Sequence, residues 1–368
     1  MARDRFEKIL QYFHYNDSTT NPARGDANHD KIHHVRPVFS IVQRRLVENY
    51  RPHKSVTLDK AMIPFRGRVS YRQYLPAKPC KFGVKVWQLA DSSNGYVYQM
   101  EVYTGKQDTG REVGLAWRVV WDLTRVLSGK SHHIYMDNYF SSPQLYQDLL
   151  KDDLYGCGTC RLNRKGWPDA LHKNCLPKQK GVSKLYQKEN LVAACCECPA
   201  KTEGWNACRN KGPEVVENYN KHMNGLDHGD QLRMQYSTTR RSKKFWKYLF
   251  WFLFNTAVAC SFILMRESVN HQKKSKTGRV KEMCQLKFRQ NLAKQLVGQH
   301  RQKRRHEVLQ KDSAGRSHWP TSMPKSRRCK LCSSRKIRKE SKYGRKICDG
   351  NLCVECFEPF HVLSFTEE

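Results

Sequence analysis

The sequence predicts an α/β protein that carries a small, separate cysteine-rich module towards its C-terminal end. Three observations predict it. The stretch from Lys54 to Lys106 holds three strand-like runs, one around Val56–Phe65 and two reading GVKVWQLAD and GYVYQMEVY, the last pair split by the turn Asp91-Ser92-Ser93-Asn94-Gly95. A helical pattern and a strand–helix unit follow over residues 110–150. Two Cys-x2-Cys pairs, Cys329/Cys332 and Cys353/Cys356, close the chain.

The 368 residues suffice for one large or two smaller domains, and a hydrophobic fraction of 39% with 17 Tyr, 15 Phe and 8 Trp supplies a sizeable core. Lys and Arg number 67 against 34 Asp and Glu, a formal charge of +33. That balance excludes an ordinary cytosolic enzyme and implies a polyanionic partner, nucleic acid ahead of an anionic membrane surface. The N-terminal stretch MARDRFEKILQYFHYND has no secretory apolar region. The 15 cysteines therefore read as reduced thiols or metal ligands.

Taken in order, residues 4–14 place Phe6, Ile9, Leu10 and Phe13 at helical spacing, and Val38 to Tyr50 forms a second amphipathic helix after a polar loop. In the first strand Asp59 interrupts an apolar run. A carboxylate there is costly unless paired, so Asp59 is either a structural residue bonded to local backbone or a metal ligand at a sheet edge. GREVGLAWRVVWDLTRVL (110–127) reads as a helix with Leu115, Val119, Leu123 and Val126 on one face. Ile134–Met136 is a short strand ending in Asp137, with Ser142 as N-cap and Pro143 at N1 of the helix beyond. A strand, a carboxylate and a helix start expose the carboxylate at the carboxyl edge of a sheet.

LYGCGTCRLNRKGWP (154–168) reads as a strand running into a basic loop. Cys195, Cys196, Cys198 and Cys208 match no ordinary zinc spacing and read as incidental thiols. PEVVENYNKHMNG (213–225) is a helix, and Asp227 and Asp230 after it share a helix face. Leu249 to Met265 nears the lower length for a membrane span, about 17 residues. Its Asn255, Thr256, Cys260 and Ser261 make a buried core helix the better reading. From His271 to Arg328 the composition predicts partial helix or disorder and contact with phosphates. In the tail the simplest zinc set is Cys329, Cys332, Cys353 and Cys356, leaving Cys348 and His361 as half of a weaker second site.

Together these motifs resemble the piggyBac family of transposases and their domesticated derivatives. The resemblance rests on RFEKILQYFHYND, the Asp59 strand followed by IPFRGR, RQYLPAKPCKFGVKVW, GYVYQMEVYTGK, GKSHHIYMDNYFSSPQL, YGCGTCRLNRKG, YNKHMNGLDHGDQ, YSTTRRSKKFWKYLF and LCVECFEPFH, covering roughly residues 1–265 and 327–362 in the family's order. It implies an RNase H-like mixed-sheet core over 54–268 with an insertion around 154–212. Residues 1–53 would be the remnant of an N-terminal helical region for DNA binding and dimerisation, 269–326 a basic linker, and 327–363 a RING- or PHD-like zinc module that binds transposon ends. It further implies a triad of Asp59, Asp137 and Asp227, with Asp230 also required, holding Mg²⁺ or Mn²⁺. The expected partners are DNA terminal repeats, TTAA targets and a second copy of the chain, with no membrane and no small-molecule substrate. A nuclear location is expected, for which Lys243-Lys244 and Lys303-Arg304-Arg305 would serve.

Four features depart from the family pattern. Lys60 replaces the Glu that usually follows the first aspartate; a Lys there would weaken metal binding by repulsion, although strand alternation turns its side chain to the opposite face. Where the family has a strand that carries a Trp and charged residues before the third aspartate, this chain has the cysteine- and proline-bearing stretch 195–208; Arg345 stands at a cysteine position, and the chain begins after most of the N-terminal domain. The aspartates favour a chain that cuts DNA, and the departures favour a derivative that binds without cutting. An adaptor built on the RING-like tail has only the cysteines behind it.

Overall fold

The computed structural model describes residues 2–76, 80–105, 113–171, 183–196, 213–268, 283–298, 321–345 and 350–363. The chain divides into two units, Met1–Arg289 and Gln290–Glu368.

The first unit is built on a six-stranded mixed sheet. Its central strands are β1 (Ser55–Pro64) and β3 (Phe82–Asp91), antiparallel, with Asp59 opposite Gln88 and Lys60 opposite Trp87. The short β2 (Gln73–Tyr74) and β4 (Val97–Val102) both pair with β3. On its other side β1 runs parallel to β5 (His133–Met136), and β5 parallel to β6 (Tyr155–Gly158). The nearly unbroken burial of β3 follows from helices covering both faces of the sheet.

The helices are α1 (Arg3–Tyr12), α2 (Arg36–Glu48), α3 (Leu115–Thr124), α4 (Pro143–Lys151), α5 (Glu214–His222), α6 (Gly225–Gln235) and α7 (Phe245–Glu267). As its sequence predicts, α4 starts at Pro143 with the Ser142 hydroxyl accepting from Leu145 N–H. Helix α7 is long and apolar enough to cross a membrane, yet its Leu249, Phe252, Leu253, Cys260 and Ile263 belong to the main core with Val56, Leu58, Trp87 and Ile134. Its polar residues are bonded within the protein: Thr256 to Phe252 O, Asn255 to Trp251 O and Thr238, and Cys260 to Val97 O. The hairpin β7 (Ser183–Lys188) and β8 (Leu191–Cys196) lies in the expected insertion. Of the thiols read as incidental there, Cys198 and Cys208 lie outside the described residues.

Helix α8 (285–298) occupies part of the segment expected to be loosely structured, and its first residues, which belong to the first unit, are bonded there through Gln285 to Leu232 O and Arg289 to Tyr236 O. In the second unit, β9 (Thr321–Arg328), β10 (Glu340–Arg345) and β11 (Gly350–Asn351) form a small sheet with α9 (Lys330–Ser334) and α10 (Val354–Leu363). The tail module thus draws in residues 321–326, which composition alone assigns to the linker.

Candidate functional site

Parallel pairing of β1 with β5 ends at Leu58 beside Met136. The next residue on each strand is an aspartate, so Asp59 and Asp137 lie side by side where β5 stops. Asp137 also organises the turn beyond: its Oδ1 accepts from Tyr139 N–H at 2.9 Å, and its carbonyl accepts from the Ser141 hydroxyl at 2.9 Å. The Oδ1 atom of Asp59 is out of contact with solvent.

Lys60 departs from its expected placement. Its Nζ donates to Asp137 Oδ2 at 2.9 Å and lies 3.9 Å from Asp59 Oδ1. Alternation does start its side chain on the face opposite Asp59. But β1 continues to Pro64 while β5 ends at Met136, so the long side chain can curl round the end of β5. On that face Lys85 is buried, 4.6 Å from the Trp87 ring centre and 4.2 Å from that of Tyr103. Burial, with the charge of Lys60 adding, pushes its amine down to about 8.

Helices α5 and α6 flank the Asp59 face. Thr57, two residues before Asp59, donates to His222 O at 2.6 Å and shares a 2.8 Å bond with Ser92. Tyr219 on α5 is held above its ordinary pKa chiefly by burial, an effect partly offset by its bond with Thr159 and reinforced by the charges of Asp137 and Asp59. Helix α6 meets the β3–β4 turn through two glycines: a Cβ at Gly225 would fall 2.6 Å from Ser92 Cα, and one at Gly229 would fall 2.5 Å from Gly95 O. Asp227 is exposed, roughly 200° round the helix from either glycine. Asp230 forms a 2.6 Å ion pair with the buried Arg233, whose guanidinium lies over the Phe252 ring. Sequence reasoning missed Tyr219, Lys85 and Gln88; nothing in their spacing marks them.

Among the described residues, one group of three or more His, Cys, Asp or Glu ligand atoms lies within 4.8 Å of one another: Cys329, Cys332, Cys353 and Cys356, all buried. The Cys332 sulfur is 3.8 Å from that of Cys353 and 3.3 Å from that of Cys356. Tetrahedral zinc with bonds of about 2.3 Å needs sulfurs about 3.8 Å apart, so the donor set fits such an ion. Burial raises the Cys329 thiol, but backbone N–H groups of Cys353 and Cys332 and its neighbouring thiols outweigh this and hold it at about 7. Cys348 and the side chain of His361 lie outside the described residues. In the core, the carboxylates of Asp59 and Asp137 are hard oxygen donors that suit a divalent ion, with the Lys60 ammonium as a competitor for the same oxygens.

Residues 1–262 match the family described as Transposase IS4. The chain is 24% identical over 329 residues to PiggyBac transposable element-derived protein 5 of Homo sapiens, covering 81% of this chain and 60% of that protein. It is 23% identical to PiggyBac transposable element-derived protein 3 of Homo sapiens, covering 98% of this chain and 63% of that one. A cryo-EM structure of the piggyBac transposase synaptic complex with hairpin DNA shares the fold, with a TM-score of 0.72 and 24% identity over 97% of this chain and 80% of that one. The chain belongs to the piggyBac family of transposases and transposable element-derived proteins. It spans about three fifths of the length of those two human relatives.

Proposed function

We propose that this chain is a DNA-processing protein of transposase lineage, cutting and rejoining phosphodiesters with an RNase H-like core. The observation that carries the proposal is the juxtaposition of Asp59 and Asp137 at the end of β5. The strand order β4-β3-β1-β5-β6, antiparallel in the first half and parallel in the second, supports an RNase H-like core. Asp59, Asp137 and, from α6, Asp227 would hold Mg²⁺ or Mn²⁺. When bound, such ions activate a water or 3′-hydroxyl and stabilise the leaving oxygen. Asp230 would contribute by fixing α6 through Arg233. The four clustered cysteines would hold zinc in a RING- or PHD-like module.

DNA is the partner that the +33 charge and the hairpin DNA of the structurally similar complex favour. Terminal repeats, TTAA targets, a homodimer, a nuclear location and the domain limits at 54–268 and 327–363 follow from family resemblance. The Lys60–Asp137 ion pair favours a second reading, a derivative that binds DNA without cutting it. Binding to duplex DNA across a salt series, with and without Mn²⁺, tests the proposal. Affinity falling steeply with salt, with nicking only in the presence of metal, supports it. Salt-sensitive binding with no nicking selects the second reading, and salt-insensitive binding removes both.

A further inference from the structure

Gln88 lies directly across the β1–β3 ladder from Asp59, and antiparallel partners point to the same face of a sheet. Its side chain is fully buried, and among the described residues neither Oε1 nor Nε2 has a hydrogen-bond partner. A buried amide left in that state is destabilising, so such a residue implies a bound group that answers it. The ladder says where that group lies. Along β3 the neighbours on this face are Val86 and Ala90, and across β4 the partner is Met100, none of which offers a polar side chain. Across β1 the polar neighbours are Thr57 and Asp59, and the Thr57 hydroxyl is engaged by His222 O and Ser92. Within the sheet, the polar groups nearest the unmet donor and acceptor of Gln88 are therefore those on the Asp59 side.

We propose that Gln88 is a positioning residue of the core cation site, its amide holding the hydration shell of the divalent ion that Asp59 would carry. The inference rests on the metal-site reading above. Groups of this kind, outside the direct ligands, commonly shift metal affinity about 10- to 100-fold.

The test is Mn²⁺ binding to the zinc-loaded full chain without DNA, followed by electron paramagnetic resonance of free Mn²⁺, alongside urea denaturation. Gln88→Leu should bind Mn²⁺ about 10- to 100-fold more weakly while unfolding at the same or higher urea concentration, since an apolar side chain suits the buried position. Gln88→Met serves the same purpose should leucine disturb packing, and Gln88→Glu should restore binding. Unchanged Mn²⁺ affinity in a folded Gln88→Leu or Gln88→Met overturns the role of Gln88 and leaves the metal site standing. Wild-type binding that Asp59→Ala and Asp137→Ala do not diminish removes the metal site itself, and the inference with it.

Discussion

Replacing Lys60 with alanine is expected to tighten divalent-ion binding at the core by about 10- to 100-fold. The Lys60 ammonium and the Asp137 carboxylate are 2.9 Å apart, an attraction of about 6 kcal/mol at an effective dielectric of about 20. Both side chains are partly withdrawn from water, at 19% and 32% exposure, and a four-carbon chain is held in one arrangement. Those costs offset much of the attraction, leaving about 1.5–3 kcal/mol for such a charge-assisted bond. A divalent ion taking Asp137 Oδ2 forfeits that amount, and each 1.4 kcal/mol is about tenfold in affinity. Isothermal titration with Mn²⁺, with Asp137→Ala as control, measures the change. Without metal the same variant should be less stable by about 1.5–3 kcal/mol, because Asp137 loses its partner. A Mn²⁺ affinity that stays within twofold of wild type would refute the reasoning that Lys60 competes for the acid pair.

Asp230→Asn should lower stability by about 2–3 kcal/mol in chemical denaturation, since it leaves the buried Arg233 without its charge partner; the value is discounted because Asp230 is 29% exposed, and a loss below 0.5 kcal/mol would deny the pair a structural role. Stripping zinc with a strong chelator should abolish hydrogen-exchange protection over 321–345 and 350–363 while β1, β3 and β5 keep theirs; an unchanged tail would remove the zinc assignment. Lys85, pushed down to about 8 from 10.5, is charged in both folded and unfolded chains below pH 8, where its burial penalty is fully present. Between those values the folded chain sheds the proton first, so wild-type stability rises with pH. Lys85→Met should therefore be about 1–2 kcal/mol more stable than wild type near pH 7, after allowing for the lost contacts with Trp87 and Tyr103, and the gap should close towards pH 10. A destabilised Lys85→Met at pH 7 would contradict this.

Much of the core was legible because its strands are apolar and their interruptions are few. Asp59 and Asp137 stood out as carboxylates within or at the end of apolar runs, and the register of β1 on β5 brings those two positions together. Lys60 was misjudged because alternation fixes where a side chain starts but not where a long one ends, and the early stop of β5 was invisible in sequence. Gln88 carried no signal, since a glutamine in a strand reads as a solvent-facing residue until helices are known to cover both faces. The cysteine spacing predicted the cluster of four, but TSMPKSRR gave no warning of β9, whose pairing with β10 depends on the fold of the tail. Asp227 and Asp230 share α6 as expected, and Arg233 stands three residues beyond Asp230 on the same helix; what the spacing did not show is the burial of Arg233 against Phe252 of α7.

The most direct test of the acid pair is strand cleavage. Purified protein would be given terminal-repeat DNA flanked by TTAA, with Mg²⁺, Mn²⁺ or neither, beside Asp137→Ala and Asp59→Ala. Metal-dependent cleavage that either substitution abolishes is the expected result, with Lys60→Ala cutting at lower metal concentration. Tight, salt-sensitive binding with no cleavage by wild type or Lys60→Ala at any metal concentration would contradict a working phosphoryl-transfer site and leave a DNA-binding descendant of a transposase.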